Sequence, residues 1–209
     1  MSDLAGDIGL TPGVNPNGAL TLVESAQLLG GYAWVESRLF EITGAWVGSE
    51  SAAEARAFFD VQSRHHAWHA ELWSERIPRV DGIVDPDAVT TAAADGTAAL
   101  LRTIGGVDSG GGTLLRLVAL ARVVMPRLVC GYARHLQRVS FVSDAPVIRA
   151  LQLALRDESE AWREAELMVQ GLIRRPHDVA VVTGHQQMLE ELVAGIGPGL
   201  VPWPEAARP

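Results

Sequence analysis

Along most of the chain, apolar residues recur at intervals of three and four, the period of an amphipathic helix. No stretch keeps the strict alternation that a half-buried strand requires. Thr21 opens "TLVE", with capping-box spacing to Glu24, and the helical pattern then runs to about Gly44. Ser51 repeats the signature in "SAAE" and opens a second helix that Pro78 must end. Residues 78–112 are broken by Pro and Gly, with room for a short helix around "GTAALLRTI", and "GGG" at 110–112 closes the stretch. A third helix is predicted over 114–140, bent at Pro126, which lacks the N–H for an internal bond. A fourth covers 146–174, with Pro146 in its first turn and Pro176 just past its end, and a shorter fifth covers 178–194. The fold class is all-α.

The links between these helices restrict how they pack. A short turn around Gly48 and the segment "SFVSDA" each join consecutive long helices, and short links imply antiparallel hairpins. Residues 78–112 are long enough to return along a helix of ~40 Å at 1.5 Å rise per residue. Two hairpins and one long crossover make a four-helix bundle, here with an extra C-terminal helix. Residues 1–20, rich in Gly, Pro and Asn, read as a loose arm; the bundle occupies 21–197 and a tail 198–209.

The composition narrows the function classes. A net charge of −8 argues against general affinity for nucleic acid or anionic lipid. One cysteine, Cys130, excludes an internal disulfide and a thiolate-rich metal site. The first residues lack the basic and apolar regions of a signal peptide, and no apolar run reaches the ~18 residues of a membrane span, so a cytoplasmic location is expected.

Each polar candidate can be placed against the apolar stripe of its own helix, at ~100° per residue. On the first helix Leu28, Leu29, Tyr32, Val35, Leu39 and Thr43 define the inner face; Glu36 falls within it, and Arg38 and Glu41 point away. On the second, a stripe of Phe58, Val61, Trp68 and Leu72 puts His65 and His69 near its centre and His66 on its flank. Tyr132 and His135 share the inner face of the third helix with Leu117, Ala121, Leu128 and Val139, while Arg116, Arg127, Arg134 and Arg138 gather on another side, read as a solvated face. On the fourth, Glu158 lies among Leu151, Leu155, Trp162 and Val169, and Asp157, Glu160 and Glu164 project outward. Four long helices thus each bring an ionisable group to the core, where unpartnered charge costs several kcal/mol, on the order of the desolvation penalty. Such groups must pair with one another or hold a metal. Trp68, Trp73 and Trp162 read as packing residues, and His177 and His185 lie outside the cluster.

This arrangement resembles the ferritin-like superfamily of non-haem di-iron carboxylate proteins, with the chain as a divergent bacterial member over residues 21–195. In that family one helix of each pair carries a Glu and the other carries Glu-x-x-His. Glu36 matches the first Glu and His69 the first His, but "HAWH" puts His66 where the family has Glu. His135 or Tyr132 stands in for the Glu of the third helix. Glu158 matches the fourth, while "ESEA" puts Ala161 where the second His would stand. The resemblance implies an iron centre, with manganese as the alternative, held by Glu36, His65, His69, His135 and Glu158. Tyr132 would orient a ligand or an oxygen species. The implied chemistry is oxygen-dependent oxidation or hydroxylation of a small-molecule substrate. Two carboxylates cannot neutralise two divalent ions, so a single metal, an atypical pair and a site without metal all stay open, as does a homodimer. Two rival readings stand beside it: a metal-free bundle that binds a ligand or partner, and one zinc or nickel ion on His65, His69 and His135, as in three-histidine bundles of bacterial thiol-dependent transferases.

Overall fold

A computed structural model describes residues 20–107 and 112–204, and among these residues the only regular secondary structure is helical. The N-terminal arm, residues 1–19, lies outside the described residues, as do 205–209 at the end of the tail.

Helix α1 spans Leu22–Ser49, and its start is the expected capping box: the Glu24 amide donates to Thr21 Oγ1 at 3.3 Å and the Thr21 amide donates to Glu24 Oε2 at 2.7 Å. The helix continues past Gly44, the expected end. A Cβ at Gly44 would stand 3.1 Å from Ser63 Oγ, so this glycine permits close packing of the next helix and is no stop signal. Helix α2 spans Ala53–Ser74 and packs along α1. Ser51 does not cap it. The N-cap is Ala52, with no side-chain cap, and the Glu50 carboxylate accepts from the Ala52 amide at 3.0 Å in the turn before the helix.

The connecting segment holds two short helices, α3 (Pro86–Val89) and α4 (Asp95–Gly105), the latter where "GTAALLRTI" predicts one. Gly30 lets this segment settle on α1, because a Cβ there would come within 2.3 Å of the Val89 carbonyl oxygen. The third long helix is three pieces in one line: α5 (Gly112–Val118), a π-helical stretch (Ala119–Val124) and α6 (Met125–Leu136). Pro126 stands two residues past Val124, the end of the π-helical stretch. Its missing N–H and its ring disrupt the ordinary four-residue ladder, and the wider turn absorbs the defect where a simple bend was expected. Helices α7 (Ala145–Leu172) and α8 (Pro176–Val193) complete the fold, α7 packing on α6 and α8 on the π-helical stretch, α4 and α5.

Two polar contacts tie the ends together. Arg116, near the start of α5, donates to Glu50 Oε2 at 3.3 Å and to Ser49 Oγ at 2.9 Å, beside the α1–α2 turn. At the opposite end, Arg76, just past α2, donates through Nε to the Pro146 carbonyl at the start of α7, 3.1 Å away. Arg116 is 2 % exposed, so the arginines of the third helix do not form one solvated face. Arg127 pairs with Glu190 at 2.6 Å, and Arg134 and Arg138 lie over the Trp203 ring. The first part of the tail is packed: Leu200 and Val201 are buried, and Thr97 Oγ1 donates to the Leu200 carbonyl at 2.5 Å.

Candidate metal centre

Four side chains from three helices converge in the core. Glu36 of α1, His66 and His69 of α2, and Glu158 of α7 each offer one ligating atom within 4.8 Å of the others. All are at most 1 % exposed. The expected histidine pair, His65 with His69, is corrected to His66 with His69. His65 is only partly buried, and its ring stacks 6.3 Å from that of His69, outside the cluster. The stripe that pointed to His65 used Val61 and Trp68, which are 38 % and 40 % exposed. The inner face of α2 is instead Phe59, Gln62, His66, His69 and Trp73, rotated by about one residue and polar at its middle.

The histidines and carboxylates interlock. His66 Nδ1 lies 2.5 Å from Glu36 Oε2 and 3.6 Å from Glu158 Oε1. His69 Nδ1 lies 3.5 Å from Oε1 of both Glu36 and Glu158, and its Nε2 is 3.2 Å from Asp157 Oδ2. Tyr132 of α6 is fully buried, and its hydroxyl donates to Glu36 Oε1. Tyr132 therefore stands beside the cluster as a partner of one ligand, with its phenol pushed well above its ordinary range by burial and by the charges of Glu36 and Glu158.

Burial alone would raise the Glu36 carboxyl, but the charge of His66 and hydrogen bonds from His66 and His69 hold it down at about 2. Burial would equally favour neutral imidazoles. Glu36 and Glu158 outweigh it for His66, which is raised, and Asp157, Glu158 and Glu36 outweigh it for His69, which is raised to about 12. Both rings are thus pushed toward the protonated form by the carboxylates they face, so a cation bound among these groups would compete with protons.

Buried atoms open to a ligand are present: His66 Nε2 and Glu158 Oε2 have no hydrogen-bond partner, and His69 Nδ1 has only the long 3.5 Å contacts to Glu36 and Glu158. Leaving a buried polar atom unsatisfied costs about 1–3 kcal/mol. Asp157, expected to project outward, is the functional neighbour that sequence reasoning missed. It fixes the Nε2–H form of His69 and leaves Nδ1 free for a ligand, the usual task of a carboxylate behind a metal-binding histidine. No spacing rule links it to His69, 88 residues away.

His135 is buried but stands apart from the four ligating groups, which corrects its expected place in the set. Its ring lies 5.7 Å from Tyr32 and 5.7 Å from Trp203, and burial pulls it down to about 4. Tyr32 precedes Glu36 by one turn and His135 follows Tyr132 by one turn, so the two pairs stack at different levels along the core. Sharing a helix face does not put residues at one height. With His65 and His135 both outside the cluster, the three-histidine site does not assemble. Compared with known proteins, the chain matches no family model, no curated protein and no solved structure.

Proposed function

We propose that this protein is a metal-binding helical bundle in which Glu36, His66, His69 and Glu158 hold one divalent transition-metal ion, iron or manganese. The observation that carries this reading is the convergence of two buried carboxylates and two buried imidazoles within 4.8 Å. Mixed imidazole and carboxylate ligands without thiolate suit iron and manganese. Two carboxylates balance one such ion and leave none for a second. Tyr132 occupies the third-helix position and Ala161 the last, the two places where another pair of metal ligands would otherwise stand.

The ferritin-like arrangement is part of the proposal. Arg116 beside Glu50 puts the start of the third long helix at the α1–α2 turn, and Arg76 beside Pro146 puts the start of α7 at the far end of α2. Those contacts support two antiparallel hairpins in which α2 and the third long helix run the same way, joined by a crossover through α3 and α4. On this reading the protein acts in oxygen-dependent oxidation or hydroxylation of a small molecule, for which the bound ion would supply one-electron chemistry. Its own residues orient the centre: Tyr132 fixes Glu36 through its hydroxyl, Asp157 fixes the His69 ring, and burial excludes bulk water.

A metal-free binding bundle is the second reading, favoured by the 2.5 Å contact between His66 and Glu36, since those groups already satisfy each other in part. The two readings differ in metal content. Protein purified without chelator or affinity-column metal, then reconstituted with Fe(II) under reducing conditions, should carry about one iron per chain. Glu36→Ala and Glu158→Ala should each remove most of it. Negligible iron and manganese in the reconstituted wild type would leave the metal-free reading standing.

A further inference from the structure

A groove of about 850 Å³ runs between the π-helical stretch, α6, α7 and α8, and none of the four clustered side chains lines it. Its walls are apolar: Ala121, Pro126 and Val129 on one side, Trp162 and Leu167 on the other. Trp162, expected to pack in the core, is 37 % exposed, and Leu167 is 69 % exposed. Arg122, Arg163 and Glu166 also line the groove, and they are not equivalent. Arg122 is held by Glu166 in a two-pronged pair at 3.1 and 3.0 Å, which cancels its charge locally. Arg163 is exposed and has no ion-pair partner among the described residues. A chain with net charge −8 therefore presents one uncompensated cation at the edge of an apolar groove of small-ligand size.

We infer that this groove binds an amphipathic monoanion, a carboxylate with a hydrocarbon body of about ten carbons, the body lying on Trp162 and Leu167 and the head meeting Arg163. Apolar walls reward the removal of hydrocarbon from water, and a planar guanidinium matches a carboxylate in two-pronged fashion. The site stands on the groove's own residues and does not rest on the metal reading.

The test is titration calorimetry of the full chain with decanoate, decanol and decyltrimethylammonium, each below its micelle-forming concentration. Decanoate should bind one per chain, decanol more weakly, and the cation not at all. Arg163→Ala should weaken decanoate at least fivefold, Arg163→Lys less, and Leu167→Glu more than tenfold. Both side chains are exposed, so melting temperatures should match the wild type; if Leu167→Glu melts early, the two Arg163 variants decide. The proposal is overturned by absence of decanoate binding up to millimolar concentration, by equal binding of the cation, or by indifference to both Arg163 variants. It is likewise overturned if decanoate does not bind and sedimentation shows a dimer that Leu167→Glu dissociates, since the groove is then covered by a second copy.

Discussion

At the scale of the residue, the candidate centre depends on which side of α2 faces inward. His65 and His66 are adjacent, ~100° apart in direction, and cannot serve one site together. The apolar pattern favoured His65 because Val61 and Trp68 looked like core residues, yet a large apolar side chain on a helix flank is common and needs no explanation. His66 departs from the Glu-x-x-His pattern and is expected outside the site, yet it is His66 with His69 that meets Glu36 and Glu158. Asp157 acts behind the pair. Asp157→Asn keeps the size of the side chain but removes the charge that orients His69, and metal affinity should fall about 10–100-fold in competition titrations, with the fold intact. The same charges set a pH dependence. His69, raised to about 12, contributes stability that is fully present below 6.5, its ordinary value, and is lost as pH rises toward 12. Glu36, lowered to about 2, contributes stability present above 4.5 and lost as pH falls toward 2. Urea denaturation of the metal-free protein should therefore show this contribution at its greatest between pH 4.5 and 6.5. Metal binding displaces protons from the histidines, so affinity should rise with pH over that interval and beyond; an affinity independent of pH would contradict the protonated cluster.

At the scale of the element, helix starts were legible where a side chain and the backbone cooperate locally. Thr21 and Glu24 make such a start, and Pro146 sits in the first turn of α7 as its fixed φ allows. Legibility failed where a distant group intervened. "SAAE" has the spacing of a capping box, but the N-cap of α2 is Ala52, with no side-chain cap, and the polar group at the α1–α2 turn is Glu50, whose carboxylate accepts from the Ala52 amide, Thr113 and Arg116. Nothing near residue 51 announces an arginine 66 positions away from Glu50. Arg116→Ala would leave Glu50 buried without its cation and should cost about 3–5 kcal/mol, measured by denaturant unfolding. Burial raises the Glu50 carboxyl, but the Ala52 amide, Thr113 and Arg116 outweigh it and hold it low, so in the wild type this contribution is present above 4.5 and lost as pH falls. The π-helical stretch was equally hidden: Pro126 announces a disturbed ladder, whereas bend or widened turn is decided by packing against α7 and α8.

At the scale of the whole molecule, the all-α class follows from periodicity alone, while the relative heights of residues on different helices do not. His135 illustrates this, since its inward phase was right and its level was not. The tail was unreadable for a related reason: Trp203 and its two arginines meet only after the chain has folded. The connecting segment has a checkable foothold at Gly30, where it passes over α1. A methyl group there collides with the Val89 carbonyl, so Gly30→Ala should destabilise by about 1–3 kcal/mol through forced backbone movement. Metal stoichiometry should not change, because the contact lies outside the cluster; loss of metal in this variant would show that the connecting segment supports the proposed centre directly.

The proposed single ion, held by groups from α1, α2 and α7, is tested by metal per chain, measured by elemental analysis in the wild type, His66→Ala and His65→Ala after identical reconstitution. The expected result is about one ion in the wild type and in His65→Ala, and little in His66→Ala. Retention by His66→Ala with loss in His65→Ala, or no metal in any of the three, would contradict it.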